Sequence, residues 1–203
     1  YDTPKVLYEY KYIQSLIKKL NIDNNNVEIL DVGCGTGQHG KLLSKDYKMN
    51  SIDNISFNFE QNINGKIETG NCIIEYPKKI YCNYNLDNEK ILVSNGRSFV
   101  IKTKNGSYYR YPLKNTPLDY ILDKKFLINQ IKNLDERVID DKFINFTIFK
   151  DNNEINIFFD RKNYFLIGWQ TLDIYQNLNI TYLSFIKINK KLKKNIFKLP
   201  PLN

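Results

Sequence analysis

One short stretch of the chain has residue types and a spacing that could bind a small ligand. It is an apolar run that ends in three alternating glycines, Gly33, Gly35 and Gly37. A strand that ends in glycines lets the backbone approach a ligand closely, and the helix that follows begins beside that ligand. Asp31 precedes the glycines, and Asp53 ends the next short apolar run. The spacing therefore favours a ligand site at the end of this strand.

Other reactive residues are scarce. The chain has one histidine, His39, and three cysteines, Cys34, Cys72 and Cys82. We therefore expect neither a zinc-type ligand set nor a Ser-His-Asp arrangement. Cys72 and Cys82 flank a turn-like segment and could face each other across a hairpin, which would suit an oxidising compartment. We expect two free strand cysteines here, with a disulfide as the alternative.

The composition is that of a globular domain. Apolar residues make up 42% and charged residues 26% of the 203 positions, which suits one ordinary domain, or one domain plus a fragment. The longest apolar runs are far shorter than the ~18 to 20 residues that cross a bilayer. The net charge of +8 is scattered except at residues 187–194, where a lysine-rich run is typical of a solvated face. We expect no nucleic-acid partner and no membrane-spanning segment.

The periodicity of apolar residues changes near residue 54. Before it, residues 4–20 and 38–46 have helical spacing, and residues 27–32 form a short strand between them. After it the alternation has period two, which predicts eight or nine short antiparallel strands with one buried face. The predicted fold class is mainly β with α (α+β).

One helix should interrupt the strands. Thr116 supplies a capping hydroxyl, Pro117 a first helical residue and Asp119 an acid in the first turn. This helix is predicted to end near Leu122 and to lie against the concave side of the sheet. Residues 126–131 predict a second short helix.

Residues 29–37 resemble the first motif of the S-adenosylmethionine-dependent methyltransferases. The resemblance implies that the glycines line this cofactor and that Asp53 meets its ribose hydroxyls. Such enzymes need several more alternating strands and helices than follow here. We therefore interpret residues 1–53 as a truncated fragment, from a gene fusion or a faulty assembly of sequence fragments, that does not bind S-adenosylmethionine. A cytoplasmic methyltransferase is the alternative function, and its cofactor residues would be Asp31, Gly33, Gly35, Gly37 and Asp53.

Four stretches of residues 54–203 share their order and spacing with one known family. They are residues 56–61, 91–98, 111–118, and 166–170 together with 195–200. They resemble LolA, the outer-membrane lipoprotein carrier protein, particularly its alphaproteobacterial branch. The resemblance implies an incomplete antiparallel β-barrel that is covered by short helices and holds lipoprotein acyl chains on its concave face.

The same resemblance implies a location and partners. The protein would be a periplasmic monomer without a cofactor or a catalytic step. It would receive lipoprotein cargo from an inner-membrane ATP-binding-cassette exporter and pass it to an outer-membrane acceptor. Export to the periplasm needs a signal peptide, and we expect this segment to be missing from the sequence.

Aromatic and branched side chains at alternate positions would supply the apolar wall of such a cavity. For each of them, a plain core role is the alternative. The predicted lipid-binding residues are Phe57, Phe59, Ile74, Val93, Phe146, Ile148, Ile157, Phe159, Trp169 and Tyr182.

Two features depart from the family. LolA proteins commonly carry arginine before the proline at position 77, where it helps to hold the closed lid, and this chain has Tyr76 there. A charge-dependent lid closure is therefore in doubt. The family's leading amphipathic helix is also replaced, and residues 38–47 are predicted to substitute for it.

Overall fold

The structure is a computed structural model that describes residues 28–31, 48–85, 90–131, 134–151, 153–162, 165–172 and 176–202. The chain divides into two compact units, Tyr1–Ile52 and Asp53–Asn203. No helix within the described residues is long and apolar enough to cross a membrane. The predicted helices at residues 4–20 and 38–47, including the substitute for the leading helix, lie outside these residues.

The first unit contains a parallel pair of strands, β1 (Glu28–Asp31) and β2 (Lys48–Ser51). Glu28 lies opposite Lys48, and Asp31 lies opposite Ser51. The connecting residues 32–47, which include the glycine stretch, lie outside the described part of the chain.

The second unit is built on one open sheet of 11 strands, all paired antiparallel. The order across the sheet is β8-β7-β6-β5-β4-β3-β13-β12-β11-β10-β9. The strands are β3 (Asn54–Ile63), β4 (Lys66–Glu75), β5 (Lys79–Tyr84), β6 (Lys90–Asn95), β7 (Ser98–Thr103), β8 (Tyr108–Pro112), β9 (Arg137–Ile139), β10 (Phe143–Lys150), β11 (Asn153–Asp160), β12 (Leu166–Leu172) and β13 (Leu178–Ile188).

The order of the strands explains where the helices lie. The chain runs outward from β3 to the edge strand β8, crosses to the other edge at β9, and returns inward to β13 beside β3. The crossing segment contains a 3₁₀ turn (Leu113–Asn115), helix α1 (Leu118–Ile121) and helix α2 (Lys124–Ile131). A connection between two edges of one sheet must cross one of its faces, and this segment covers the face called here the inner face.

The inner face is defined by Ile55, Phe57 and Phe59 of β3 and by the residues in register with them on the other strands. Alternation of burial along β3, β4 and β5 matches the predicted period of two. Almost all of the apolar core lies between this face and the crossing segment, where Leu113, Ile121 and Leu122 are at most 2% exposed. Each fully buried side chain of this kind contributes roughly 1.5–3 kcal/mol.

Glycine turns connect several hairpins where the sequence predicts them. Asn64 and Gly65 both have positive φ, 51° and 88°, in the two-residue turn from β3 to β4. This conformation matches the twist of the two strands and favours Asn-Gly. Gly96 and Gly106 also have positive φ.

Within the described residues, the C-terminal segment covers part of the outer face, and Lys79 Nζ of β5 lies 5.8 Å from the centroid of the Phe197 ring. Across β7 and β8, Lys102 Nζ donates to the carbonyl of Pro201 at 3.2 Å, and the Tyr108 hydroxyl donates to that of Pro200 at 3.2 Å. The C-terminal segment, residues 190–202, therefore lies on this part of the outer face. Val93 and Val100, which point to this face by their register with Tyr81 and Arg110, are buried there.

Two expectations are corrected. The sheet has 11 strands rather than eight or nine, because the short edge strands β8 and β9 carry little alternation. The Thr116 hydroxyl does not cap α1; it donates to the carbonyl of Leu113 at 2.8 Å and so closes the preceding 3₁₀ turn.

Candidate functional site: a cavity on the inner face

A cavity of about 220 Å³ lies between the inner face and the first part of the crossing segment. Strands β3 to β7, β12 and β13 form its wall. The segment of residues 116–123, called here the cover, lies over it and lines it with Thr116, Pro117, Leu118 and Ile121. Its apolar lining includes Phe59, Cys72, Ile80, Cys82, Leu92, Phe99, Ile101, Ile121 and Trp169.

The aromatic part of the wall depends on one glycine. Gly70 lies opposite both Phe59 and Tyr84, whose ring centroids are 4.8 Å apart. A Cβ at Gly70 would lie 2.2 Å from the Asn83 carbonyl oxygen and 2.7 Å from the Phe59 ring. Any other residue at position 70 would place a side chain where the two rings meet, so the contact between the rings requires glycine. Aromatic side chains often cover a glycine on a neighbouring strand in this way.

One end of the cavity is polar. The Tyr84 hydroxyl donates to Gln61 Oε1 at 3.2 Å, and Gln61 Nε2 donates to Thr181 Oγ1 at 3.2 Å. Thr171 and Asn179, which lie opposite each other on β12 and β13, continue this polar end. The cavity is therefore amphipathic, with an apolar body and a hydrogen-bonding end.

A buried ion pair lies beside the polar end. Glu68 is only 4% exposed and pairs with Lys90, and Lys66 Nζ lies 3.3 Å from its other oxygen. Burial alone raises the pKa of the Glu68 carboxyl, but the hydrogen bonds and charges of Lys90 and Lys66 outweigh it and hold the pKa below its ordinary value. Burial and the charge of Glu68 raise the pKa of the Tyr84 hydroxyl. The tyrosine therefore stays a neutral donor at physiological pH.

An ion pair joins the β4–β5 turn to the helix that lies over the cavity. Lys78 Nζ donates to Asp119 Oδ1 at 2.9 Å and lies 3.5 Å from Asp123 Oδ2, and its backbone N–H donates to the Leu122 carbonyl at 3.0 Å. A cation two positions after Tyr76 thus contacts the helix over the cavity, and the dependence of lid closure on charge stays a prediction.

The interpretation of Cys72 and Cys82 as free cysteines is also corrected. The two residues lie opposite each other on β4 and β5 and form a disulfide. Both side chains point to the inner face and line the cavity. Sequence alone could not decide this, because hairpin register determines whether two strand cysteines meet.

Eight of the ten predicted lipid-binding residues share the inner face, and two do not. Phe59 and Trp169 line the cavity directly. Four others belong to the packed core of the same face, and two are half-buried further along it as an aromatic pair. The core residues are Phe57, Ile74, Ile148 and Ile157, and the pair is Phe146 and Phe159, with centroids 6.0 Å apart.

Val93 and Tyr182 are corrections to the predicted lining. Val93 lies opposite Tyr81 and Val100 on the outer face. Tyr182 lies opposite Glu60 on the outer face and is 53% exposed. Neither side chain reaches the cavity.

Sequence reasoning identified the covering helix but missed the polar lining of the cavity. The side chains of Gln61, Tyr84 and Thr181 lie on the inner face and line the cavity, but the prediction considered only apolar and aromatic residues as lining. The position of Gln61 in its strand could have identified it. Gln61 follows Phe57 and Phe59 at alternate positions of β3, and alternate residues of a strand lie on the same face.

The cofactor residues of the methyltransferase alternative are not brought together by any described contact. Asp31 ends β1, whereas Gly33, Gly35 and Gly37 lie outside the described residues. Asp53 belongs to the second unit, where its backbone N–H donates to Asn189 Oδ1 at 2.9 Å. The assignment of residues 1–53 as a separate domain stays a prediction.

The fold is an open antiparallel sheet with a mostly apolar cavity under short helices, and such cavities with a few polar groups are the form that small-ligand sites take. The family model "Outer membrane lipoprotein carrier protein LolA" matches residues 50–200. The chain therefore belongs to the LolA family. The methyltransferase resemblance receives no support from these comparisons.

Solved structures with a similar fold share little sequence. A LolA superfamily protein from Nitrosomonas europaea is 8% identical with a TM-score of 0.42, covering 72% of this chain and 90% of that chain. An uncharacterized conserved protein from Thermus thermophilus is 6% identical with a TM-score of 0.45, covering 73% and 85%. The Pseudomonas aeruginosa MucA/MucB complex gives 11% identity and a TM-score of 0.34, covering 72% and 56%. No curated protein matches the chain.

Proposed function

We propose that this chain is a periplasmic carrier that binds the acyl chains of lipoproteins and moves them from the inner to the outer membrane. The observation that supports this most directly is the cavity on the inner face. Its body is apolar, which suits an acyl chain, and a short helical segment lies over it. Membership of the LolA family supports the choice of lipoprotein as cargo. The carrier would act as a monomer without a cofactor or a catalytic step.

The size of the cavity indicates how cargo would enter. At about 220 Å³ it is smaller than the roughly 300–1,000 Å³ of most ligand pockets. A cargo with more than one acyl chain would therefore have to displace α1 and the 3₁₀ turn. Lys78 contacts both acidic residues of the cover from the β4–β5 turn, so we propose that this ion pair sets the ease of opening.

The proposed partners are an inner-membrane ATP-binding-cassette exporter that delivers the cargo and an outer-membrane acceptor that takes it. A periplasmic location is supported by the disulfide between Cys72 and Cys82, because such bonds persist in oxidising compartments. Thiol titration of the denatured protein after expression with periplasmic export should detect one free thiol, that of Cys34. Detection of all three thiols of the chain would mean that the disulfide does not form there and would remove this support for a periplasmic location.

Acyl-chain binding can be tested with a matched pair of variants. Ile101 is half-buried and lines the cavity, whereas Ile91 is half-buried on the outer face of the neighbouring strand. A fluorescent fatty acid, dansylaminoundecanoic acid, and a triacylated lipopeptide should both bind the parent. Ile101→Asp places a charge in the cavity and should weaken binding at least tenfold, because an unpaired charge there is costly. Ile91→Asp should retain binding.

Thermal unfolding of both variants shows whether the fold survives. Equal loss of binding in the two variants would mean general destabilisation rather than loss of a site. A parent that binds neither ligand would refute the carrier proposal.

The methyltransferase alternative is tested separately. We expect no binding of S-adenosylmethionine in a calorimetric titration, because the chain lacks the further strands that wall the cofactor in such enzymes. A micromolar dissociation constant that is lost in Gly35→Val would overturn this expectation.

A further inference from the structure

The polar end of the cavity has one group that the protein leaves unsatisfied. Asn179 lines the cavity, and its side-chain oxygen is buried without a hydrogen-bond partner in the described part of the chain. A buried acceptor without a partner is destabilising, because it has lost its hydrogen bonds to water. The neighbouring polar groups Gln61, Tyr84 and Thr181 are by contrast bonded to one another.

The register places this oxygen at a defined end of the cavity. Asn179 lies opposite Thr171 on one side and Ile63, the last residue of β3, on the other. The apolar lining residue Ile80 lies at the other end of the sheet, because it follows the β4–β5 turn closely. The cavity therefore runs from a hydrogen-bonding end at Asn179 to an apolar end near Ile80 and Phe99.

The charges at the polar end do not call for an anionic ligand. Lys90 lines the cavity, but it is paired with the buried carboxylate of Glu68. The unsatisfied atom, Asn179 Oδ1, is a hydrogen-bond acceptor. A carboxylate also offers only acceptor oxygens, so it cannot bond to this atom. An uncharged donor, a hydroxyl or an amide N–H, is the chemistry that it lacks.

We propose that Asn179 Oδ1 accepts a hydrogen bond from an uncharged hydroxyl or amide N–H next to the acyl chain of the ligand. This bond orients the ligand, with its polar head at Asn179 and its chain running toward Ile80 and the cover. Asn179 thereby selects hydroxyl- or amide-bearing acyl compounds over free fatty acids. The inference rests on the proposed acyl-binding function.

The test compares three probes with one acyl chain. Monomyristoylglycerol has free hydroxyls, methyl myristate has no donor, and myristate has a carboxylate. The dissociation constant of each probe is measured directly by calorimetric titration of the parent protein, without a competing ligand. The glyceride should bind about tenfold more tightly than the methyl ester, which is the worth of one net hydrogen bond. Myristate should bind no more tightly than the methyl ester.

The variant Asn179→Leu should abolish this preference and leave the affinity for methyl myristate unchanged or slightly improved. Asn179→Ala is the second variant, in case leucine disturbs β13. The control is Asn58→Leu, which changes an exposed asparagine of the outer face and should keep the preference.

The outcomes separate the inference from the function on which it rests. If the parent binds glyceride and methyl ester equally, the role of Asn179 is wrong and the carrier proposal stands. If both Asn179 variants weaken the two probes equally, the residue is structural and the inference fails. If the parent binds no probe, the proposed function itself fails.

Discussion

The two faces of the sheet differ in how they are covered, although the strands give both the same alternating pattern. The inner face is covered along most of its length by the crossing segment, and its residues form the core. Among the described residues, the outer face is covered by the C-terminal segment, which contacts β5, β7 and β8. Over β10 it carries Phe149, which is 73% exposed. Alternation shows which residues share a face, whereas distant segments decide which positions are buried.

The largest expected effect comes from neighbouring residues on opposite faces. Ile148 is 1% exposed on the inner face, and Phe149 is the next residue on the outer face. Ile148→Asp buries an unpaired charge and should cost more than about 4 kcal/mol, enough to abolish a cooperative transition. Phe149→Asp should change stability by no more than about 0.5 kcal/mol. Urea unfolding followed by the fluorescence of Trp169 measures both, and similar losses would mean that the outer face of β10 is covered as well.

A second test removes the outer cover. Ending the chain at Leu192 uncovers Val93 and Val100, which are at most 1% exposed in the intact chain. Because full burial of such a side chain is worth roughly 1.5–3 kcal/mol, we expect a loss of about 2–4 kcal/mol in urea unfolding. Removal of residues 202–203 alone is the control and should have little effect, since Leu202 is 73% exposed. An unchanged midpoint in the longer truncation would show that the segment does not contribute to the core.

The fold could be predicted from sequence because its signals are local. Period-two runs and Asn-Gly turns specify hairpins one at a time, and a sheet made mostly of hairpins follows from them. The short helix after Thr116 was also predicted, although the predicted capping role of the Thr116 hydroxyl was wrong. The continuity of the sheet rests on one long-range pairing, β3 with β13, which the local pattern did not predict.

The site was harder to predict because it depends on contacts between distant segments. Val93 lies in a continuous apolar run, residues 91–93, which is typical of a strand buried on both faces. Nothing local shows that residues near 200 cover it. Tyr182 is aromatic but faces outward, whereas its smaller neighbour Thr181 faces the cavity. Aromatic character is thus a weaker guide than parity within a strand.

A smaller effect should separate two adjacent lysines. Lys78 reaches the cover of the inner face, and its side chain is 31% exposed, while Lys79 pairs with Glu75 and is 42% exposed. Lys78→Gln should cost about 1 kcal/mol and accelerate amide hydrogen exchange in residues 118–122. Lys79→Gln should cost no more than about 0.5 kcal/mol, as exposed pairs do. Equal exchange rates in the two variants would show that the ion pair does not hold the cover.

The smallest expected effect concerns acid stability, and its sign follows from Glu68. The pKa of this carboxyl lies below its ordinary value of 4.5 in the folded protein, so the unfolded chain binds the proton more readily. The contribution of Glu68 to stability is therefore fully present above pH 4.5 and is lost as the pH falls through the folded pKa. Urea midpoints measured from about pH 7 to about pH 3 should fall less steeply for Glu68→Gln than for the parent.

The variant Lys90→Met, which removes the closest cation of Glu68, tests the cause of this acid dependence. In Lys90→Met the carboxyl stays buried, but only Lys66 still opposes the burial that raises its pKa. The acid-induced loss of stability should then shrink, while stability at neutral pH falls because a buried carboxylate has lost its closest cation. No such coupling is expected on the outer face, where carboxylates meet water. An acid profile for Lys90→Met as steep as that of the parent would show that the pair at the polar end of the cavity does not stabilise the charged form of Glu68.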